Sequence, residues 1–348
     1  MTDVLTPYVP QDAAEVAALI SALYPDRAIG GDELVRQDRD QQEVGCHHGR
    51  VVARSMGGRL LGFAAYKQSL GQYHPRKVLA EVLVAPEARR QGLGGRLADW
   101  LEGQLRPMEL LSVRSTVRET PPEGLAFAHK RGFQEDKRSW VSSVDPRTVD
   151  LSGLPALEAR LAEQGVRLLS AAELQAQSSE QHPDAWKSDL HALFSEVRLD
   201  VPRSEPPTPI SLEQFCTWIL DDPSFSPHAY LLAQSDHGEL IGQSAQYPGE
   251  GSPDLFIGLT GVRRPWRGLG VATAMKLHSL KYAVQAGFPR VWTDNESGNA
   301  PILAINDRLG FVRAPAMLSV LRVLSPEQTQ PDQTQSAQTQ PTQTQERP

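Results

Sequence analysis

Cysteine is nearly missing from the 348 residues: Cys46 and Cys216 are the only two, far apart and without a framework of spacings around them. That excludes a disulfide-stapled scaffold and a cysteine-based zinc site. Long apolar runs are missing as well, since no stretch approaches the ~18 consecutive apolar residues of a membrane span. The opening residues lack the basic-then-apolar pattern of a secretory leader, so a cytoplasmic chain with no membrane contact is expected. Positive charge is not in excess. Lys plus Arg number 35 against 42 Asp plus Glu, a formal charge of −7, which argues against nucleic acid as a partner. No Cys-His or Ser-His-Asp constellation stands out for nucleophilic catalysis. The adjacent His47 and His48 would point to opposite faces of an extended segment, so they read as loop residues and no metal is expected.

What is present is a repeat. An apolar strand ends at Val262 and turns through Arg267-Gly268-Leu269-Gly270-Val271-Ala272 into a helix; earlier, Val84 is followed by Arg89-Arg90-Gln91-Gly92-Leu93-Gly94-Gly95 and another helix. Arg89 and Arg267 differ by 178 positions (267 − 89), as do Val84 and Val262, and the pairs Gly132-Phe133 and Gly310-Phe311. Solenoid units run only ~20–50 residues, so this period marks a duplicated domain. Glycines without side chains let the backbone approach a ligand closely, and the free N–H groups at the following helix start favour an anion. The arginines beside each loop suit a small polyanion. Neither loop has the Gly-Lys-Ser/Thr ending of a P-loop, and neither opens a convincing dinucleotide βαβ unit.

In chain order, a short strand at Leu5–Val9 precedes an amphipathic helix from Asp12, read as its cap, to Leu23. A polar helix at Asp32–Gln42 and a hairpin of Val51–Met56 and Leu60–Tyr66 about Gly57-Gly58 follow. Lys77–Val84 is the strand before the first loop. Gly94–Leu105, Ser112–Val117 and Glu123–Arg131 then read as helix, strand and helix, with an extended return from Phe133 to Val144. The division is a first domain over 1–146, a connector over 147–165, a second domain over 166–325 and a Thr-Gln-Pro tail over 326–348 that is expected to be disordered. The second domain repeats the pattern with a longer, proline-rich loop at Pro202–Pro209, and long loops are often functional.

This order, with the Arg-x-x-Gly-x-Gly/Ala loop and the downstream Gly-Phe, resembles the GNAT superfamily of acyl-CoA-dependent N-acyltransferases in its tandem form. The resemblance implies an α/β (α+β) fold: two GNAT-like domains, each a mixed, largely antiparallel twisted sheet flanked by helices. It implies that the strand before each loop splays from its neighbour and pairs with the pantetheine arm of acetyl-CoA or another acyl-CoA, while the loop holds the pyrophosphate. The implied cofactor residues are Leu83, Val84, Arg89, Arg90, Gln91, Gly92, Leu93, Gly94 and Gly95, and Gly261, Val262, Arg267, Gly268, Leu269, Gly270, Val271 and Ala272. Asn299 stands where the family often places an asparagine against the cofactor; a helix cap is the alternative reading.

The implied chemistry is direct transfer from a thioester to a small-molecule amine, without a covalent enzyme intermediate. Glu81 is the candidate base, an odd carboxylate on a strand face shared with Leu79 and Leu83; an Arg-paired structural role is its alternative. The family's tyrosine position holds Asn306 in the second half and Ala128 in the first, and an asparagine can only hydrogen-bond the leaving thiolate. Tyr247, Asp294 and His129 are possible substitutes. The intact Arg267 loop with Asn299 tilts the expectation of catalysis toward the second half, with an acyl-CoA-binding sensor or scaffold as the alternative. The two halves could pack as an intrachain pseudo-dimer.

Overall fold

The computed structural model describes residues 3–27, 29–178, 182–249 and 252–325; the tail over 326–348 lies outside them. The first half runs β1 (Val4–Pro7), α1 (Ala13–Leu23), α2 (Gly31–Glu43), β2 (His48–Arg54), β3 (Leu60–Lys67), β4 (Lys77–Val84), α3 (Leu93–Leu105), β5 (Ser112–Arg118), α4 (Glu123–Lys130) and β6 (Gln134–Val144). A connector helix α5 (Leu154–Glu163) leads to β7 (Val166–Ser170), α6 (Ala171–Ala176), α7 (Ala185–Val197), α8 (Leu212–Phe215), β8 (Leu231–Ser235) and β9 (Leu240–Pro248). The second half closes with β10 (Leu255–Val262), α9 (Val271–Gln285), β11 (Val291–Glu296), α10 (Ala300–Arg308), β12 (Val312–Arg313) and β13 (Met317–Val323). Most strands and helices match the sequence expectation within a few residues. One cap does not. The Asp12 carboxylate accepts from Val9 N–H at 2.9 Å and Arg54 Nη2 at 2.6 Å, and so is not free to cap α1.

The thirteen strands among the described residues form one sheet, in the order β1-β2-β3-β4-β5-β13-β6-β11-β10-β9-β8-β7, with β12 beside β6. The two halves have exchanged their last strands. β13 inserts between β5 and β6 of the first half, and β6 in turn pairs with β11 of the second. The exchange is symmetric to the residue: Met317 faces Arg118, Ser139 faces Glu296, and each member moves by 178 (317 − 139 and 296 − 118). Met317 also faces Ser139, its own counterpart, so a pseudo-twofold axis passes between them. The intrachain pseudo-dimer is thus built on one ladder, and the sheet has no break at the end of the first half. In the antiparallel parts, both ladder geometry and side-chain alternation fix this register.

Both faces of the sheet are buried away from its centre. Along β2, Val52 joins Val16, Ile20, Leu34, Phe63 and Leu83 under α1 and α2, whereas Val51 and Ala53 join Leu61, Leu93, Leu97 and Leu101 under α3. The second half repeats this: Leu232 packs with Leu190, Leu193 and Phe215 on one face, and Ala233 with Leu161, Ile241, Val262 and Met275 on the other. The proline-rich loop crosses between halves. Thr208 N–H donates to Gly71 O at 3.0 Å, Tyr73 N–H to Thr208 Oγ1 at 2.6 Å, and Lys77 pairs with Glu205 at 3.0 Å.

Several buried residues are polar, and one of them is a lysine. Lys276 of α9 is fully buried, its Nζ lacks a hydrogen-bond partner, and it lies 5.3 Å from the centroid of the Phe311 ring. Burial pulls its pKa down to about 7.

Two outcomes are expected. Removing residues 317–348 strips a strand from the middle of the first half's sheet, so thermal unfolding followed by circular dichroism should show neither half folded; a surviving first-half transition would contradict the exchange. For Lys276, the unfolded chain holds its proton up to about pH 10.4, while the native amine has lost it above about 7. The unfolded state therefore binds more protons between those values, so stability rises with pH across that window and is flat below it. Lys276→Met should raise stability at pH 7 by roughly 3–5 kcal/mol and flatten the pH dependence of the urea midpoint.

Candidate functional site

Each half opens its sheet at one place. β4 runs parallel to β5 only from Lys77 to Leu79, then continues to Val84 paired with β3 alone. Its twin does the same: β10 pairs with β11 only from Leu255 to Ile257, and Val262 pairs only toward β9. Past these points one strand edge faces a gap, with backbone groups open to a ligand. The splay expected from the sequence is therefore present in both halves. The halves differ in detail, because β10 shifts register between Ile257 and Thr260, whereas β3 and β4 pair without a shift. At that irregularity the Tyr247 ring lies 2.9 Å from where a Cβ of Gly258 would stand, so only glycine fits.

The two loops share a clamp. Arg89 Nε donates to Val84 O at 3.1 Å, and Arg267 Nε to Val262 O at 2.8 Å, so each loop arginine folds back on the strand that feeds it. Gly92 (φ 85°) and Gly270 (φ 99°) occupy the N-cap positions of α3 and α9, and neither helix start has a side-chain cap. Such uncapped N–H groups are an anion site in waiting. The environments then diverge. A Cβ at Gly92 would meet nothing within 4 Å, while one at Gly270 would meet Leu157 Cδ1 of α5 at 3.0 Å. Arg264 Nη2 donates to Asp200 at 2.6 Å, and Arg267 donates to the same carboxylate, which these guanidiniums hold down to about 2. Neither Arg89 nor Arg90 has a carboxylate partner among the described residues. The second loop is packed and neutralised; the first is open.

The cleft behind each loop shows the same asymmetry. In the first half a cavity of about 460 Å³ lies between α3, α4 and the gap, reaching Ala80, Glu81 and Val82 of β4, with Ala98, Phe127 and Ala128 in its walls. Its rim is polar. Arg131 donates to Asp99 at 2.7 Å, Glu102 at 3.3 Å and Gly95 O at 3.1 Å, and Arg322 of β13 reaches Glu102 at 3.1 Å. At the common offset, Ala98 becomes Lys276, Ala128 becomes Asn306, Glu102 becomes Leu280 and Arg131 becomes Leu309. Leu280 and Phe311 are buried with Leu309 against them, and Asn306 is 1% exposed, donating Nδ2 to Asn295 Oδ1 at 2.7 Å. Where the first half has Ala98 and Ala128 at its cavity wall, the second has two larger side chains, both buried.

Of the proposed chemical residues, Glu81 lines the open cleft and its carboxylate has no hydrogen bond or ion pair among the described residues, so the Arg-paired alternative is not what is seen. Its neighbours Leu83 and Val84 sit on the splayed strand. Asn299 precedes α10, but its side chain makes no cap. Tyr247 is pushed up to about 12 by burial, which makes it a poor acid near neutrality, and His129 is exposed on α4. His48 Nδ1 lies 3.0 Å from Cys46 O, and no group of three His, Cys, Asp or Glu side chains among the described residues could hold a metal ion. No helix among them is long and apolar enough to cross a membrane. Sequence reading missed Asp200, Ala98, Phe127 and Arg131. The signal for Ala98 was available, since a lysine opposite an alanine at the repeat offset marks a change of volume.

The model of the acetyltransferase (GNAT) family matches residues 16–133 and 188–311. A mycothiol acetyltransferase of Catenulispora acidiphila is 26% identical over 76% of this chain and 79% of its own length. Another, from a Parafrankia species, is 24% identical over 89% and 96%. Among solved structures, a tandem GNAT protein from the clavulanic acid biosynthesis pathway superposes with a TM-score of 0.67 at 19% identity, covering 94% of this chain and all of that one. A GCN5-related N-acetyltransferase from Sphaerobacter thermophilus gives 0.62 at 19% identity, over 93% and 96%. With two splayed strands, two glycine-led helix starts and two matched regions on one offset, the chain belongs to the acetyltransferase (GNAT) family, as a tandem member and an N-acetyltransferase whose acetyl donor is acetyl-CoA.

Proposed function

We propose that the chain transfers an acetyl group directly to the amine of a small molecule, and that the first half's cleft carries the chemistry. The observation behind this reading is the contrast between the open cavity of about 460 Å³ beside Glu81, with Ala98 and Ala128 in its wall, and the buried Lys276 and Asn306 at the equivalent positions of the second half. It reverses the leaning toward the second half that the Arg267 loop and Asn299 suggest in the sequence. The relatives named mycothiol acetyltransferase support a small-molecule acceptor. At their level of identity they carry no further detail.

In this reading the residues present fit acetyl-CoA, which supplies an acyl thioester when bound. The uncapped start of α3 with Gly92, Gly94 and the unmatched Arg89 and Arg90 suits the pyrophosphate. The β5-facing edge of β4 beyond Leu79 offers backbone groups to an extended arm and to the carbonyl oxygen, where an aimed N–H stabilises developing charge. Glu81 takes the proton that the acceptor must lose before or during attack. Ala128 leaves no tyrosine to protonate the leaving sulfur. A thiol titrates near pH 8.5, so it can leave as a thiolate near neutrality with little help. The second half then serves as support, its cleft closed by Leu277, Leu280, Leu309 and Phe311.

Calorimetric titration of acetyl-CoA into the intact chain should give one site, lost in Gly94→Leu, whose side chain would grow toward Val84 and Phe127. Two equal sites would sink the division between halves. Gly270 is a poor control, because Leu157 makes any side chain there a packing defect. With a competent acceptor, Glu81→Gln should lower kcat on the order of 10²-fold at pH 7 with little change in acetyl-CoA affinity. Unchanged kcat would remove Glu81 from the mechanism.

A further inference from the structure

A second cavity, of about 420 Å³, lies at the centre of the sheet where the exchanged strands meet. It is on the face opposite α3 and α4, because it takes Ser112, Arg114 and Thr116 of β5, while the cofactor cleft takes Val113, Ser115 and Val117. Thr116 borders both. Lys77 and Leu79 of β4 line the central cavity, and Glu81 lies on their side of the strand, about 7 Å beyond Leu79 at ~3.3 Å per residue. The roof is Pro202 to Glu205 from the proline-rich loop, fixed by the contacts of Thr208 and Glu205 with the first half. Its size is that of a small-molecule site.

Not every charge that lines this cavity is held in an ion pair. Lys77 pairs with Glu205 at 3.0 Å, Arg114 with Asp136 and Arg138 with Glu119 at 2.6 Å. Glu296 accepts from Gly298 N–H at 2.9 Å, and Asp294 is not free. Lys137 and Arg203 are left, with no carboxylate partner among the described residues. Arg203 is half-buried, and desolvation together with the nearby Arg198 cation holds its pKa below the usual arginine value. A guanidinium taken from water without a counter-ion is costly. Two such cations face one cavity without an ion pair, and Glu296 in the same lining has no cation among the described residues, so the space suits a ligand that brings both an anion and an amine. Arginine's planar fork matches a carboxylate or phosphate.

We propose that the central cavity is the acceptor site and takes an amine that carries its own carboxylate or phosphate, with Lys137 and Arg203 holding the anion while the amine reaches Glu81. This rests on the acetyl-transfer reading of the first cleft and names its substrate class. The anion anchors one end of the acceptor against parts of both halves: Lys137 comes from β6, and Arg203 from the loop that follows α7.

The test is calorimetric titration of three probes into the intact protein saturated with CoA: glucosamine, glucosamine 6-phosphate and muramic acid, the last a carboxylate-bearing amino sugar. At least one anionic probe should bind ten-fold or more tightly than glucosamine, and which one does so separates phosphate from carboxylate recognition. Arg203→Ala should erase that preference with CoA affinity unchanged, and Arg203→Lys should restore part of it. Equal binding of the three, or no binding of either anionic probe to a CoA-loaded chain, overturns the proposal. Failure of CoA itself to bind the wild-type chain instead overturns the acetyl-transfer reading, and this inference with it.

Discussion

The ladder that joins β13 to β5, repeated as β6 to β11, is the constraint on which the rest of the structure depends. Each half lacks a strand of its own at the middle of its sheet and receives one from the other. The exchanged strand stands beside β5 in one half and β11 in the other, the same strands whose opposite edges hold β4 and β10 before the splay begins. The gap that makes a cleft and the contact that makes a pseudo-dimer therefore lie on the two edges of the same strands, β5 and β11. A half detached from its partner would lose that contact, and its open ladder would be exposed to whatever strand it met.

On this symmetric frame, a few side chains make the two halves unlike. Ala98 and Ala128 stand at a cavity wall; Lys276 and Asn306 are buried at the equivalent positions. Arg131 bridges α3 and α4 through ion pairs at the rim of a cavity, while Leu309 closes the equivalent seam with Leu280 and Phe311. The loops follow the same division: one keeps its arginines unmatched, the other binds them to Asp200 and covers its glycine with Leu157. The filled half retains costly features, above all a buried amine without a hydrogen-bond partner. Apolar replacements at such positions are often more stable, so its stability alone does not account for the lysine.

Much of this was legible in the sequence, for identifiable reasons. The offset of 178 survived because glycines at Gly92 and Gly270 serve a left-handed backbone that few other residues adopt, and Gly132 and Gly310 end helices in the same way. Hairpins and strands were readable because their faces are buried and their turns carry glycine. The strand exchange was not readable. β6 and β13 offer the same alternation of side chains whether they return to their own half or cross to the other, and period-2 patterning says nothing about which partner is used. Glu81 could be singled out as a misplaced charge, whereas the space beside Ala98 is legible only when Ala98 is set against Lys276 at the repeat offset. Asp12 shows the reverse error: a residue of the right type at a helix start was claimed by Arg54, from across the fold.

The pseudo-twofold axis between Met317 and Ser139 has one more consequence. In a dimer of two identical chains, every mutation appears on both sides of the axis at once, so a cleft could be closed in one protomer only by closing it in both, with all function lost. Joining the protomers through α5 removes that coupling. One copy can then drift toward a pure supporting role while the other keeps its cleft, and the loops near the axis can acquire different sequences. The long Pro202–Pro209 segment, longer than its counterpart in the first half, is such a case: it covers the centre of the sheet from one side, an arrangement that a symmetric pair would have had to build twice in the same space.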